Sequence, residues 1–248
     1  MPEIKQKYSQ LFSNYTYEQK EQLYEALSEF FSENKRQLLD QNIQNRTKHI
    51  TLVMEDIFQS QNASAVLRTA DCFGIQDVHI IENQYEYTLN PDVALGSSKW
   101  VNYYRYNKKD ENNTLLAYDD LRKKGYKIIA TLPHENDVML QDLNISQPIA
   151  LVFGTEKTGL TETAIKNADA FVKIPMYGFT ESFNISVSAA LCSFYLTEKM
   201  RNTPGLDWKL TANQQVEQKL YWARQIIREA DKIMRKLVED MNLPALGF

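Results

Sequence analysis

IALVFGTEKTGL, residues 149–160, joins a short apolar run to a turn bracketed by two glycines. The run at 149–153 reads as a buried strand: it is short, carries no polar residue and leads at once into turn signals. Gly154 and Gly159 have the G-x-x-x-x-G spacing of a phosphate-binding loop. Leu160 and Thr161, however, stand where that loop needs Lys and then Ser or Thr. A leucine cannot reach a β- or γ-phosphate, so a nucleotide triphosphate is disfavoured as the ligand of this turn.

The pattern on either side of the turn is regular. Upstream, residues 16–40 read as an amphipathic helix, with Thr16 and Gln19 forming a capping box and Leu23, Leu27, Phe30 and Phe31 at helical spacing. HITLVM (49–54) is a strand. NASAVLRTADCF is a helix opened by Asn62 and stopped by Gly74. Strands follow at 78–81 and 101–106, then a helix at 115–124 stopped by Gly125, then a strand at 126–131. Downstream, Thr161 caps TETAIKNAD, AFVKI (170–174) is the last strand, and Pro175 ends it. A long helix covers 184–200, and a final helical region covers about 213–241. Strands alternating with helices predict an α/β fold with a mostly parallel sheet covered on both faces. Residues 1–48 and 201–248 read as N- and C-terminal helical extensions on a core at 49–200.

Composition excludes several classes. Charged residues make up 24% and hydrophobic ones 43% of 248 residues, as in ordinary globular proteins. No apolar run approaches the ~18 residues of a membrane span, and the start has no signal-peptide core, so a cytoplasmic protein is expected. Cys72 and Cys192 are far apart, and His49, His79 and His134 form no metal-binding pair, so neither a disulfide framework nor a metal is expected. G-x-G-x-x-G occurs nowhere, which disfavours a dinucleotide loop. The net charge of −4 argues against a nucleic-acid partner, but 219–236 is locally basic, with smaller groups at Lys35/Arg36 and Arg46/Lys48/His49.

Three stretches place polar residues where a strand gives way to a helix, the place where open parallel sheets bind ligands. QNASAVLRTAD carries Asn62 and Arg68; the first could be a cap, and the second could pair with Asp71 or Glu55. FGTEKTGL carries Glu156 between its glycines. IPMYGFTESFNISVSAAL carries Ser182 and Asn184 at a helix mouth, and Ser182, Ser186 and Ala190 form a small-residue stripe suited to close helix packing.

Taken together and in this order, the three stretches resemble the signature motifs of the SpoU/TrmH family of RNA ribose 2′-O-methyltransferases, within the SPOUT class. The resemblance covers about 47–200, and GSSKW (96–100) adds to it. It implies a deep trefoil knot at about 126–200, a homodimer with the site near the interface, and S-adenosylmethionine as methyl donor. It implies that Arg68 and Asn62 are catalytic, that Glu156 orients the arginine or its loop, and that Ser182 and Asn184 position Arg68 and the ribose. Donor contacts carry over to Thr131, Gly154, Ile174, Met176 and Phe183, where the family has Leu at the last position.

The short extensions look like those of the branch that methylates a D-loop guanosine of tRNA; ribosomal RNA is the alternative substrate. A non-catalytic RNA-binding or assembly protein on the same fold is the reading from another class. For RNA contact the sequence offers Arg46, Lys48, Arg224 and Arg228. Tyr221 and Trp222 could stack on bases or pack inward.

Overall fold

Thr16 and Gln19 make both bonds of the expected capping box and start α1 (Tyr17–Ser28). The helix expected over 16–40 is two helices. Ser32 takes an extended conformation, accepts a bond from the Lys35 N–H and begins α2 (Glu33–Ile43). There follow β1 (Ile50–Glu55), α3 (Ser60–Cys72), β2 (Asp77–Ile81), a single turn α4 (Pro91–Ala94), β3 (Asn102–Tyr106), α5 (Asn113–Lys123) and β4 (Lys127–Thr131). Then come the short β5 (Val138–Met139), β6 (Ile149–Phe153), α6 (Glu162–Lys166), β7 (Ala170–Lys173), α7 (Ile185–Arg201), α8 (Ala212–Ile226) and α9 (Ala230–Asp240). The final helical region is therefore also split, at Glu229, whose φ of 56° is left-handed. The structure, a computed structural model, describes residues 11–132, 138–155 and 157–246.

The chain forms two units. One is Thr47–Trp208; the described residues before and after it form the other. In the terminal unit α1 packs on α8 around Leu23, Leu27, Leu220 and Met234.

The larger unit holds a seven-stranded sheet in the order β3-β2-β1-β6-β4-β7-β5, with parallel pairing throughout. Every residue of β1 and β6 is buried, which explains the unbroken apolar sequence of β6 and the apolar run Leu52–Met54 of β1. From β1 the chain builds outward through β2 to β3, then crosses to the other side of β1 to lay down β4, β5, β6 and β7, of which β6 pairs with β1. The carboxyl ends of β1 and β6 thus flank the switch point of the sheet, where a ligand crevice opens. The QNASAVLRTAD stretch follows β1 and the FGTEKTGL stretch follows β6, so the topology sets two of the three motifs side by side.

Glu55, at the end of β1, is 1% exposed. Its carboxyl group accepts from the Thr161 N–H (2.9 Å), the Thr161 hydroxyl (2.8 Å) and the Thr114 hydroxyl (2.5 Å). It thereby holds the starts of α5 and α6 and does not pair with Arg68. α7 packs on α3. Its buried face carries Ile185, Ala189, Cys192, Ser193, Leu196 and Met200. The small-residue stripe expected there is corrected: Ser182 precedes the helix, and Ser186 and Ala190 are only half-buried.

His79 on β2 is fully enclosed, stacked on Tyr104 at 4.8 Å and Tyr106 at 5.8 Å. Burial, aided by Lys124, holds its pKa down to about 3, against opposing attraction from Asp77 and Asp120. The folded protein therefore keeps His79 neutral, while the unfolded chain protonates it below its ordinary value of 6.5. This site contributes nothing to pH dependence above that pH. Below it, folding stability falls as pH drops, by up to about 1.4 kcal/mol per unit. Urea unfolding of wild type and His79→Phe between pH 7 and pH 4 checks this: the variant should lose less stability on acidification.

Candidate functional site

Gly154 follows β6 directly and is there for steric reasons. A Cβ at this position would fall on the carbonyl group of Gly159 and the nitrogen of Leu160, closer than side chains approach backbone. The two glycines are pressed together because the turn closes on itself. The Thr155 N–H donates to the Gly159 carbonyl at 3.0 Å, and the Gly159 N–H to the Thr155 carbonyl at 3.1 Å. Gly159 holds a φ of 68°, open to a glycine at little cost. The Thr155 hydroxyl accepts from the Thr158 N–H at 3.1 Å and pairs with the Thr158 hydroxyl at 2.7 Å. Thr161 then caps α6 by accepting from the Ala164 N–H.

This turn forms one wall of a pocket of about 370 Å3. The volume lies within the range of small-ligand sites. Thr131, Gly154, Ile174, Met176 and Phe183, the five residues expected to contact a donor, all line it, and so does Ser182. The Thr131 hydroxyl is engaged with the Val152 carbonyl at 2.8 Å. Phe183 is 42% exposed, so the larger side chain at this position borders the pocket and also faces solvent. Sequence reasoning missed Leu160, Glu181, Ser188 and Cys192, which are among the pocket's other lining residues. The turn brings in Leu160, and Ser188 and Cys192 share a face of α7. Their signal was helical spacing downstream of Asn184. Burial pushes the Cys192 thiol up to about 12, so it is an inert packing group.

Asn62 does not open α3. Gln59 occupies the cap position without a side-chain bond, and Asn62 lies in the first turn. Its amide nitrogen donates to Gln59 Oε1 at 3.1 Å, and its oxygen accepts from Asn184 Nδ2 at 3.2 Å. Asn184 in turn caps α7 by accepting from the Ser186 N–H at 2.9 Å. The first and third motifs therefore meet through two asparagines. Arg68 is not drawn into this contact. It lies on the exposed side of α3 with Gln61 and Cys72, and it has no hydrogen-bond or ion-pair partner among the described residues. Glu156 lies outside the described residues.

The expected RNA contacts need correction. Arg46 is 5% exposed and lies over the Trp222 ring at 5.3 Å. Arg224 is held by both oxygens of Asp231. Trp222 is 1% exposed and the Tyr221 hydroxyl is buried, so both aromatics pack inward. Arg228 is exposed, and Lys48 is partly exposed, 3.4 Å from Asp77. Among the described residues no helix is long and apolar enough to cross a membrane.

Replacing Gly154 with alanine should open the Thr155–Gly159 bridge. Amide exchange at Gly159, protected in the wild type, is the measurement, and it should speed up with the global unfolding free energy less affected.

The sequence model of the SpoU rRNA Methylase family matches residues 49–194. A tRNA (guanosine(18)-2′-O)-methyltransferase of Borreliella burgdorferi is 42% identical over 203 residues, covering 82% of this chain and 90% of that one. Among solved structures, the Aquifex aeolicus TrmH/SpoU tRNA modifying enzyme superposes with a TM-score of 0.70 at 22% identity, over 79% of this chain and 98% of that one. The Streptomyces viridochromogenes SpoU methyltransferase AviRb in complex with AdoMet gives 0.54 at 18% identity, over 66% and 65%. The match over most of the chain, the shared α/β architecture and the three motifs gathered at the switch point place this protein in the SpoU methylase family.

Proposed function

We propose that the protein transfers a methyl group from S-adenosylmethionine to the ribose 2′-hydroxyl of a guanosine in tRNA, in the cytoplasm. The observation that carries this reading is the pocket into which the glycine turn and residues 174–183 converge, next to the Asn62–Asn184 contact. The match to a tRNA guanosine(18) enzyme, over 82% of this chain and 90% of that one, favours tRNA over ribosomal RNA. With the motif positions filled, catalysis is favoured over a purely binding role.

The pocket fits the methyl donor. Leu160, Ile165 and Ile174 offer apolar walls for a purine, the closed turn presents backbone groups that a side chain at 154 would displace, and Glu181 brings a carboxylate for a cationic ligand. When bound, S-adenosylmethionine supplies an electrophilic methyl whose transfer removes the sulfonium charge. The chain's residues position the acceptor in line with it. Arg68, exposed as it is, grips a neighbouring phosphate in bidentate fashion and offsets negative charge developing on the 2′-oxygen as the hydroxyl proton leaves to water. Asn184, fixed by Asn62, and Ser182 at the pocket rim orient the ribose. Lys48 and Arg228 remain as phosphate contacts.

The protein acts as a homodimer. On the outer side of α7, Val187, Leu191, Phe194 and Tyr195 are 43%, 38%, 56% and 39% exposed and recur at helical spacing. A stripe of this kind is costly to leave in water and suits a second copy. The trefoil knot accompanies this reading. β7 inserts between β4 and β5, and Lys199 of α7 reaches back to the carbonyls of Gln141 and Leu143, as a threaded segment would.

Incubation with labelled S-adenosylmethionine and unmodified tRNA, followed by nucleoside digestion, should yield 2′-O-methylguanosine. Arg68→Ala should lower kcat at least 100-fold, in line with loss of a transition-state charge contact, with donor affinity unchanged by calorimetry; an active variant would remove Arg68 from the mechanism. Phe194→Asp should yield monomers in sedimentation velocity.

A further inference from the structure

Phe58 and Tyr85 lie outside the three motifs and outside the pocket. They are 68% and 40% exposed and meet edge to face with ring centroids 5.1 Å apart. Phe58 follows β1 and Tyr85 follows β2, so both stand at the carboxyl edge of the sheet, where the site opens. Phe58 precedes Gln59, whose side chain holds Asn62, which in turn holds Asn184. An unbroken series of neighbours thus links the aromatic pair to the entrance of α7.

The Tyr85 side of the pair is firmly held. Asp56 is 3% exposed and has a left-handed φ of 52°. Its Oδ1 accepts from the backbone N–H groups of Asn83 (2.7 Å), Gln84 (2.8 Å) and Tyr85 (3.4 Å). Glu82, 7% exposed, accepts from the Tyr87 N–H and pairs through both oxygens with Arg105. Two buried carboxyl groups therefore clamp the segment that presents Tyr85. Such a mount lowers the ordering cost of engaging a ligand.

The neighbours identify the ligand. Gln61 and Gln84 are exposed and stand close to the aromatics in the chain, while the Asn83 amide is held by Asp56, Thr114 and Asn113 and the Gln59 oxygen by Asn62. The Glu86 carboxylate is 3.5 Å from Arg105, which offsets its charge. No cation stands among these exposed residues, so the patch is unsuited to a phosphate. An aromatic surface flanked by donor–acceptor amides is the chemistry that takes an unstacked nucleobase: the ring stacks, and the amides meet the base edge.

We infer that Phe58 and Tyr85 form a stacking platform for a base of the RNA substrate next to the methylated nucleotide. They are positioning residues for the reaction, and the inference rests on the RNA methyltransferase reading above. The test compares wild type, Phe58→Ala, Tyr85→Ala and Phe58→Tyr. It measures kcat and the KM for unmodified tRNA, the Kd for S-adenosylmethionine by calorimetry, and the Kd for fluorescein-labelled tRNA by anisotropy without donor. Each alanine variant should raise KM and Kd for tRNA about tenfold, within the range of one base–aromatic stack. Donor affinity should not change, and Phe58→Tyr should restore tRNA binding. Unchanged tRNA affinity in both alanine variants overturns the platform. So does a loss of affinity accompanied by dissociation of the dimer in sedimentation velocity, which would make the pair a subunit contact. If wild type transfers no methyl to tRNA, the functional reading fails by itself. The anisotropy arm then still decides the platform: weaker binding by Phe58→Ala supports it, and equal binding overturns it.

Discussion

Glu55 ends the central strand with a carboxyl group sealed from water, and a group so placed must have its lone pairs taken up. Thr114 and Thr161 do so, and in doing so they tie the starts of α5 and α6 to the end of β1. Thr161 also closes the far side of the glycine turn. The position of that turn therefore depends on a bond made across the sheet, from a residue more than a hundred positions earlier. The pocket inherits its shape from this tie: one wall is the turn, and the floor is the end of β6 and β4.

A second constraint works within the turn. Gly154 and Gly159 have the spacing of a phosphate loop, yet their role is mutual approach of two backbone segments, with no side chain able to fit between them. The result is a closed loop that shows backbone to the pocket, with a buried Leu160 behind it. The leucine that argues against a triphosphate ligand serves here as an apolar wall.

Charge is distributed in a way that composition conceals. The basic segment at 219–236 suggested an RNA-facing helix, but Arg224 is occupied by Asp231 and Trp222 is interior. Arginine is as useful for internal pairing as for phosphate contact, and a linear sequence does not distinguish the two uses. The same ambiguity affected Arg68 in the opposite sense. Its candidate partner Glu55 is turned inward, and the arginine remains on the open face of α3.

Local patterning determined much of this protein. The strands at 149–153 and 78–81, the Thr16 capping box, the glycine stops and the alternation that implies a parallel sheet could all be read directly, because each depends on neighbours in the chain. The family resemblance carried by the three motifs, rather than the patterning itself, pointed to five of the residues lining the pocket. Tertiary structure decided what depends on distant partners. It showed that Asn62 is a bridge to Asn184 rather than a cap, that two long helical patterns are each interrupted, and that two of the four expected RNA cations are enclosed. It also mounted Phe58 and Tyr85 as a pair, although they come from separate strand ends. Periodicity records which side of an element meets the core. It does not record which other element covers that side, and that assignment gives each polar residue its role.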